Sequence, residues 1–103
     1  MRLVRTADPE PDMEPWAVDA LRDLTARIRR LESAQKLLGL TDREMQVMML
    51  VIDGWNSEHI GTILNISSKM VIAHRGTAKE HMGARNGIHA AIKLDRAIQA
   101  TQP

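Results

Sequence analysis

The 103-residue chain contains no phenylalanine, no tyrosine and no cysteine, and its only aromatic residues are two tryptophans. Its core must therefore be built from leucine, isoleucine, valine, alanine and seven methionines. Strands are enriched in aromatic and β-branched residues, whereas unbranched aliphatic side chains favour helices. The composition predicts an all-α protein, and the length allows one domain with room for a helical extension.

The same composition excludes several classes of protein. Without cysteine there is no disulfide framework, no thiolate zinc site and no cysteine nucleophile. The longest apolar run, from Met45 to Ile52 and interrupted by Gln46, is far shorter than the roughly 20 residues that cross a bilayer. The N-terminus lacks the apolar core of a signal peptide, so we expect a cytoplasmic protein with no membrane partner. A net charge of +1 means that any basic surface must be local.

The N-terminal part divides into a polar arm and a helix. Residues 1–15 place prolines among acidic residues and contain too little apolar surface to fold, which predicts a flexible arm. In residues 16–39 apolar side chains recur at alternating spacings of three and four, as on an amphipathic helix. This helix either pairs with a second chain as a parallel coiled coil or packs on its own domain. The candidate dimer contacts on it are Leu21, Leu24, Ile28 and Leu31, and Gln35 would be the polar specifier of the pairing.

Capping and turn signals divide residues 40–100 into four further helices. Thr41 and Glu44 have the spacing of a capping box, in which each residue's side chain bonds to the backbone N–H of the other. A helix should therefore start at Thr41. The other predicted helices are one from Ser57 to Asn65, one from Ser67 or Ser68 to Met82, and one that Asn86 caps.

The second and third of these helices have the spacing of a helix-turn-helix. The two helices of this motif cross steeply, so the first needs a small residue at the crossing and the second needs an apolar anchor one turn in. Gly61 and Val71 occupy these two places, and Asn65 supplies the turn between them. We therefore predict a helix-turn-helix motif from Ser57 to Met82.

Residues 40–94 also resemble the LuxR/FixJ/GerE-type DNA-binding domain without a gap. The matching pieces are the opening LTDRE, Gly54 followed by NSEHIGTIL, ISSKMV before the recognition helix, His74-Arg75, and MGARN from Met82 to Asn86. The resemblance covers about half of the chain. It implies a four-helix unit behind the N-terminal helix, a third helix that enters the major groove of DNA, and a fourth that forms a dimer interface. The candidate contacts of that interface are Ile88 and Ile92.

The recognition helix carries two kinds of candidate DNA contact. Ser67, Ser68 and Lys69 stand at its N-terminus, where free backbone N–H groups, hydroxyls and an ammonium group can bind phosphate. Base contacts should come from residues at spacings of three and four, which share one exposed face. These candidates are Lys69, Ile72, Arg75, Gly76 and Lys79. Arg75 suits a guanine edge, whereas Ile72 offers only apolar contact, for example to a thymine methyl.

Two positions depart from the family pattern. Many members have a basic or polar residue where this chain has Ile72 and Gly76, and neither of these can donate a side-chain hydrogen bond. Gly76 inside a helix costs about 1 kcal/mol relative to alanine, which indicates either the close approach of another backbone or a relaxed constraint. Two functions stay open. Either the protein binds double-stranded DNA as a dimeric transcriptional regulator, or it is an interaction module that has lost DNA binding and captures another regulator. The basic residues of the recognition helix favour the first.

Other chemistry finds little support in the sequence. Of the four histidines, His74 and His81 are two turns apart and neither has a carboxylate at ligand spacing beside it, so we predict no metal site. We expect His74 to be partly buried beside the DNA backbone, and His81 and His89 to lie at the surface. There is no phosphate-binding glycine loop, no paired carboxylates and no serine beside a base, so we predict no enzymatic activity and no cofactor. Trp16 should anchor the first helix and Trp55 should cover the core.

Overall fold

The computed structural model describes residues 12–102, and all regular secondary structure in that range is helical. The predicted all-α class is therefore confirmed. The helices are α1 (Pro15–Arg29), α2 (Glu32–Leu38), α3 (Asp42–Ile52), α4 (Ser57–Leu64), α5 (Ser68–Met82) and α6 (Gly87–Thr101). Most of the predicted flexible arm, residues 1–11, lies outside the described range, and Pro15 is already the first residue of α1.

Side-chain caps begin four of these helices. Thr41 Oγ1 accepts the backbone N–H of Glu44 at 3.1 Å, and the Glu44 carboxylate accepts the N–H of Thr41 at 2.9 Å, which confirms the capping box of α3. Asn56, Ser67 and Asn86 cap α4, α5 and α6, each by accepting the N–H three residues further on. The backbone turns left-handed where α2, α4 and α5 end, at Gly39, Asn65 and Gly83.

The single long helix predicted over residues 16–39 is wrong, because a turn divides it into α1 and α2. Arg30 ends α1, and Leu31 leaves the helical conformation with φ −112° and ψ 19°. The N–H groups of Arg30 and Leu31 bond to carbonyls three residues back, so the interruption is tight. It redirects α2 onto α6. Neither residue type breaks helices, so the sequence has no local signal for this interruption.

The apolar seam of the N-terminal region faces its own domain. Leu21, Leu24 and Ile28 are at most 1% exposed, and Leu31 is 7% exposed. They belong to one core with the apolar residues of α3 and α4. Gln35, the expected polar specifier, donates its side-chain amide to Leu40 O and to the Asp42 carboxylate. The structure thus has the second of the two expected arrangements. These four side chains are not available for the coiled coil, which corrects their assignment as dimer contacts.

Helix α1 packs mainly on α4 and α3, α2 packs on α6, and α5 packs on α3 and α4. Two contacts at the edge of the core fasten α1. The Arg27 guanidinium donates to both oxygens of the Asp53 carboxylate, at 2.6 and 2.9 Å. The rings of Trp16 and Trp55 stack with their centroids 5.5 Å apart, so both tryptophans have the predicted roles.

Candidate nucleic-acid interface

The crossing of α4 and α5 depends on a glycine and on a left-handed turn. A Cβ atom at Gly61 would lie 2.5 Å from the carbonyl oxygen of Ile66, so no larger residue fits without moving the backbone. Asn65 has φ 58° and ψ 46°, and it is the only residue other than glycine with a positive φ in residues 12–102. Val71, one turn into α5, is fully buried. The three residues therefore have the predicted places in the motif.

The N-terminus of α5 points into solvent. Ser67 Oγ accepts the N–H of Met70 at 3.1 Å, and Ser67, Ser68 and Lys69 are all exposed. The first N–H groups of α5 have no partner within the helix, and the helix dipole makes this end electropositive. The sequence-predicted phosphate contacts are thus together at one accessible helix end.

The side of α5 that follows this end borders an open groove. The groove has a volume of about 440 Å³, and its walls come from α3, α5 and the first residues of α4 and α6. Its lining residues are Met48, Val51, Ser57, Ile72, Arg75, Gly76, Lys79 and Gly87. Four of the predicted base contacts therefore meet in one place, and Lys69 lies one turn before Ile72 on the same helix.

The other predicted contact of α5 lies apart from this groove. His74 precedes Gly76 by two residues, which turns its side chain to the opposite side of the helix. It is half-buried, and it does not line the groove. The structure therefore does not bring His74 together with the base-contact candidates.

The cations of this interface are unpaired within the described part of the chain. Ion pairs in the described part of the chain include those of Arg27 with Asp23 and Asp53, and of His81 with Glu44. Lys69, Arg75 and Lys79 have no carboxylate partner among residues 12–102. A cation without a neighbouring carboxylate can attract an external anion, because no internal counter-charge offsets its field. The electrostatics of the groove therefore suit a polyanion.

Gly76 has open space around it. No atom of the chain outside its immediate surroundings lies within 4 Å of the position that a Cβ atom would occupy. Of the two explanations expected for Gly76, the close approach of another backbone is not made within residues 12–102. Ile72, one turn earlier, is 58% exposed. Ile72 therefore makes this side of the groove apolar, and Gly76 leaves it without a further side chain.

Two parts of the interface were missed from the sequence. The first residues of α4 and α6, Ser57 and Gly87, also line the groove. Their caps were the available signal, but only the tertiary structure brings them beside α5. His81, expected at the surface, is exposed but also donates from Nδ1 to Glu44 Oε1 at 2.9 Å.

Burial and hydrogen bonding shift the pKa of Glu44 in opposite directions. Burial by itself would raise the pKa of this carboxyl, which is only 3% exposed. Hydrogen bonds from the Thr41 backbone N–H and from the side chains of His81 and Thr77 outweigh it and lower the pKa below its ordinary value. Glu44 is therefore a carboxylate that holds the start of α3 and the last turns of α5 together.

Within residues 12–102 no three histidine or acidic side chains are grouped as a metal ion would require. No helix in that range is both long and apolar enough to cross a membrane.

On α6, Ile88 is 76% exposed and Ile92 is 44% exposed, so the two candidate dimer contacts of the family resemblance are accessible. His89 accepts the N–H of Arg85, and its pKa is lowered by desolvation and by nearby cations.

Comparison with known families agrees with this geometry. The family described as bacterial regulatory proteins, luxR family, matches residues 38–94, which is more than half of the chain. The match begins at the last residue of α2 and ends within α6, so it includes the whole of the α4–α5 motif. Searches of curated proteins and of solved structures found no match. On the family match, the chain belongs to the luxR family of bacterial regulatory proteins.

Proposed function

We propose that this protein is a transcriptional regulator that binds double-stranded DNA with α5 in the major groove. The observation that carries the proposal is the set of unpaired cations, Lys69, Arg75 and Lys79, on the uncovered side of α5. An α-helix fits the major groove, and its exposed side chains reach the base edges there. Such a regulator acts on the chromosome, so the proposal includes a cytoplasmic location.

In this proposal the contacts divide into two groups. The end of α5 at Ser67, Ser68 and Lys69 binds the phosphate backbone and sets the position of the helix. The groove residues face the bases, and Arg75 is the side chain that can donate two hydrogen bonds to a guanine.

We further propose that the protein acts as a homodimer through α6. Ile88 and Ile92 follow each other at a spacing of four, so they form one exposed apolar strip on that helix. A symmetric pair of α6 helices would bury both strips and present two copies of α5. Dimers of this kind bind half-sites about one helical turn of DNA apart.

A second candidate function rests on a different observation. Ile72 is an apolar side chain that is 58% exposed, and Gly76 has no side chain. This side of α5 is therefore poorer in hydrogen-bond donors than the family pattern predicts, and part of its exposed surface is apolar. An interaction module that captures another regulator would use this apolar surface. The two candidates differ in whether the protein binds DNA at all.

The test is a salt titration of binding to a fluorescein-labelled duplex of mixed sequence, followed by anisotropy. The proposal predicts binding that weakens with salt, and Lys69→Ala should reduce the slope of log Kd against log salt by about one unit. Lys36→Ala is the matched control, because Lys36 is an exposed lysine on α2, away from α5. Its slope should equal that of the wild type. If the protein binds no duplex even at low salt, the DNA-binding proposal is wrong.

A further inference from the structure

The groove side of α5 combines two properties that rarely occur together on a solvated helix. Ile72 is 58% exposed, and the space beside Gly76 is empty for 4 Å. Arg75 and Lys79 line the same groove and are unpaired within residues 12–102. The exposed apolar side chain of Ile72 thus lies beside the space left by the missing side chain of Gly76. Arg75 and Lys79 place one cation on each of two successive turns of the helix.

The groove therefore fits a ligand that is strongly anionic and also presents an apolar group. In the major groove of DNA the C5-methyl of thymine is the one apolar group that a base pair displays, and it lies between the phosphate backbones. Ile72 has no donor or acceptor and can contact only such a group. Gly76 lacks a side chain, so a base edge can approach the backbone of α5 next to Ile72.

We propose that Ile72 and Gly76 make this protein selective for thymine, with Ile72 packed on a C5-methyl and Gly76 admitting the adjacent base edge. The inference rests on the proposed DNA binding, and it names the class of DNA sequence that the interface prefers. Sites with A·T pairs opposite Ile72 should bind more tightly than sites without them.

The size of the effect follows from the area that one methyl group buries. A buried methylene or methyl group contributes about 0.8 kcal/mol, which corresponds to roughly a fourfold change in Kd. Each subunit that contacts one thymine should therefore discriminate by about that factor. Two thymines in contact would give on the order of tenfold.

The experiment compares two duplexes that differ only in that methyl group. One has an alternating A·T sequence, and the other has the same sequence with uracil in place of every thymine. Affinities are measured by fluorescence anisotropy at one fixed, low salt concentration. The wild type should bind the thymine duplex about fourfold to tenfold more tightly than the uracil duplex.

Ile72→Ala should remove this preference, because it weakens binding to the thymine duplex and leaves binding to the uracil duplex unchanged. Met70→Ala is the matched control: Met70 is 47% exposed on the same helix but, two positions away, faces the opposite side. Met70→Ala should keep the wild-type ratio between the affinities for the thymine and uracil duplexes. Circular dichroism checks that both variants remain helical.

Each outcome separates the two proposals. Failure of the wild type to bind these duplexes and also the mixed-sequence duplex contradicts the DNA-binding function itself, whereas failure on these duplexes alone contradicts the thymine preference. Equal binding of both duplexes leaves DNA binding intact and contradicts the thymine preference, as does a preference that persists in Ile72→Ala. For Gly76 the test is Gly76→Ala, which adds a methyl group to empty space and should weaken binding to the thymine duplex severalfold without loss of helix. Unchanged affinity would contradict the part of the proposal that concerns Gly76.

Discussion

Glu44 and His81 connect the beginning of α3 to the last turn of α5 through a hydrogen bond of 2.9 Å between Oε1 and Nδ1. The same carboxylate oxygen accepts the backbone N–H of Thr41, so one buried group caps one helix and fixes the end of another. The N-terminal end of α5 is held by the crossing at Gly61 and by buried Val71. The helix that carries the candidate DNA contacts is therefore held at both ends.

Glu44→Gln should lower the free energy of unfolding at pH 7 by about 1–3 kcal/mol, because a charge-assisted hydrogen-bond network loses its anion. The lowered pKa of Glu44 sets the pH dependence. Its stabilising contribution is fully present above the ordinary value of 4.5 and is lost as the pH falls through the lower folded value. The difference between wild type and variant should therefore shrink below about pH 4.5. Urea denaturation at pH 7 and at pH 3–4 measures it.

The control for this prediction is Glu80→Gln, which changes an exposed glutamate on α5. It should leave the stability within about 0.5 kcal/mol of the wild type at neutral pH. A Glu44→Gln variant as stable as the control at pH 7 would show that the carboxylate does not hold the two helices together.

The buried position of the α1 seam leads to a second prediction. Leu24→Ala should cost about 2–5 kcal/mol, because it leaves a cavity where the side chain is fully buried. Leu37→Ala, in α2, removes a leucine that is 63% exposed and should change the stability by less than about 0.5 kcal/mol. Thermal or urea unfolding followed by circular dichroism compares them. Similar small losses for both would mean that α1 is not part of the core.

Replacing either of two glycines by alanine should change the stability of the protein, in opposite directions. Gly61→Ala should destabilise the protein by about 1–3 kcal/mol, because the new Cβ would meet a backbone carbonyl at the helix crossing. Gly76→Ala should stabilise it by about 0.5–1 kcal/mol, because alanine is the better helix former and the space is empty. Chemical denaturation of both variants is sufficient. The same sign for both changes would contradict the geometry of the motif.

The proposed dimer can be tested on α6 alone. Ile88→Glu places a charge in the centre of the proposed interface and should convert the protein to a monomer, with no loss of helix because Ile88 is 76% exposed. Leu37→Glu, on the exposed side of α2, is the control and should leave the mass unchanged. Sedimentation equilibrium at tens of micromolar measures the mass. A wild type that is already monomeric at that concentration would contradict dimerisation through α6.

The parts of the fold that the sequence predicted correctly depend on local chemistry. A cap at Thr41, Ser67 or Asn86 acts on an N–H three residues away, and Asn65 turns the chain at its own position, so short patterns suffice. The requirement for glycine at position 61 also follows from the steep crossing within one motif. For these reasons α3 to α6 and the accessible end of α5 agree with expectation.

The parts that could not be predicted depend on contacts between distant residues. The turn at Arg30 and Leu31 contains good helix formers, and the helix that follows it, α2, packs on α6. Periodicity showed an apolar seam on α1 without showing whether the seam meets a second chain or the chain's own core. The pairing of His81 with Glu44 joins residues 37 positions apart, and no local pattern marks it.

The most direct test of the central claim is methylation interference on a DNA fragment that the protein binds. Dimethyl sulfate methylates guanine at N7, in the major groove, and adenine at N3, in the minor groove. If α5 lies in the major groove with Arg75 at a guanine, methylation of specific guanines should prevent binding, and Arg75→Ala should bind whether or not those guanines are methylated. Interference only at adenines, or the absence of any bound fragment at low salt, would contradict the account.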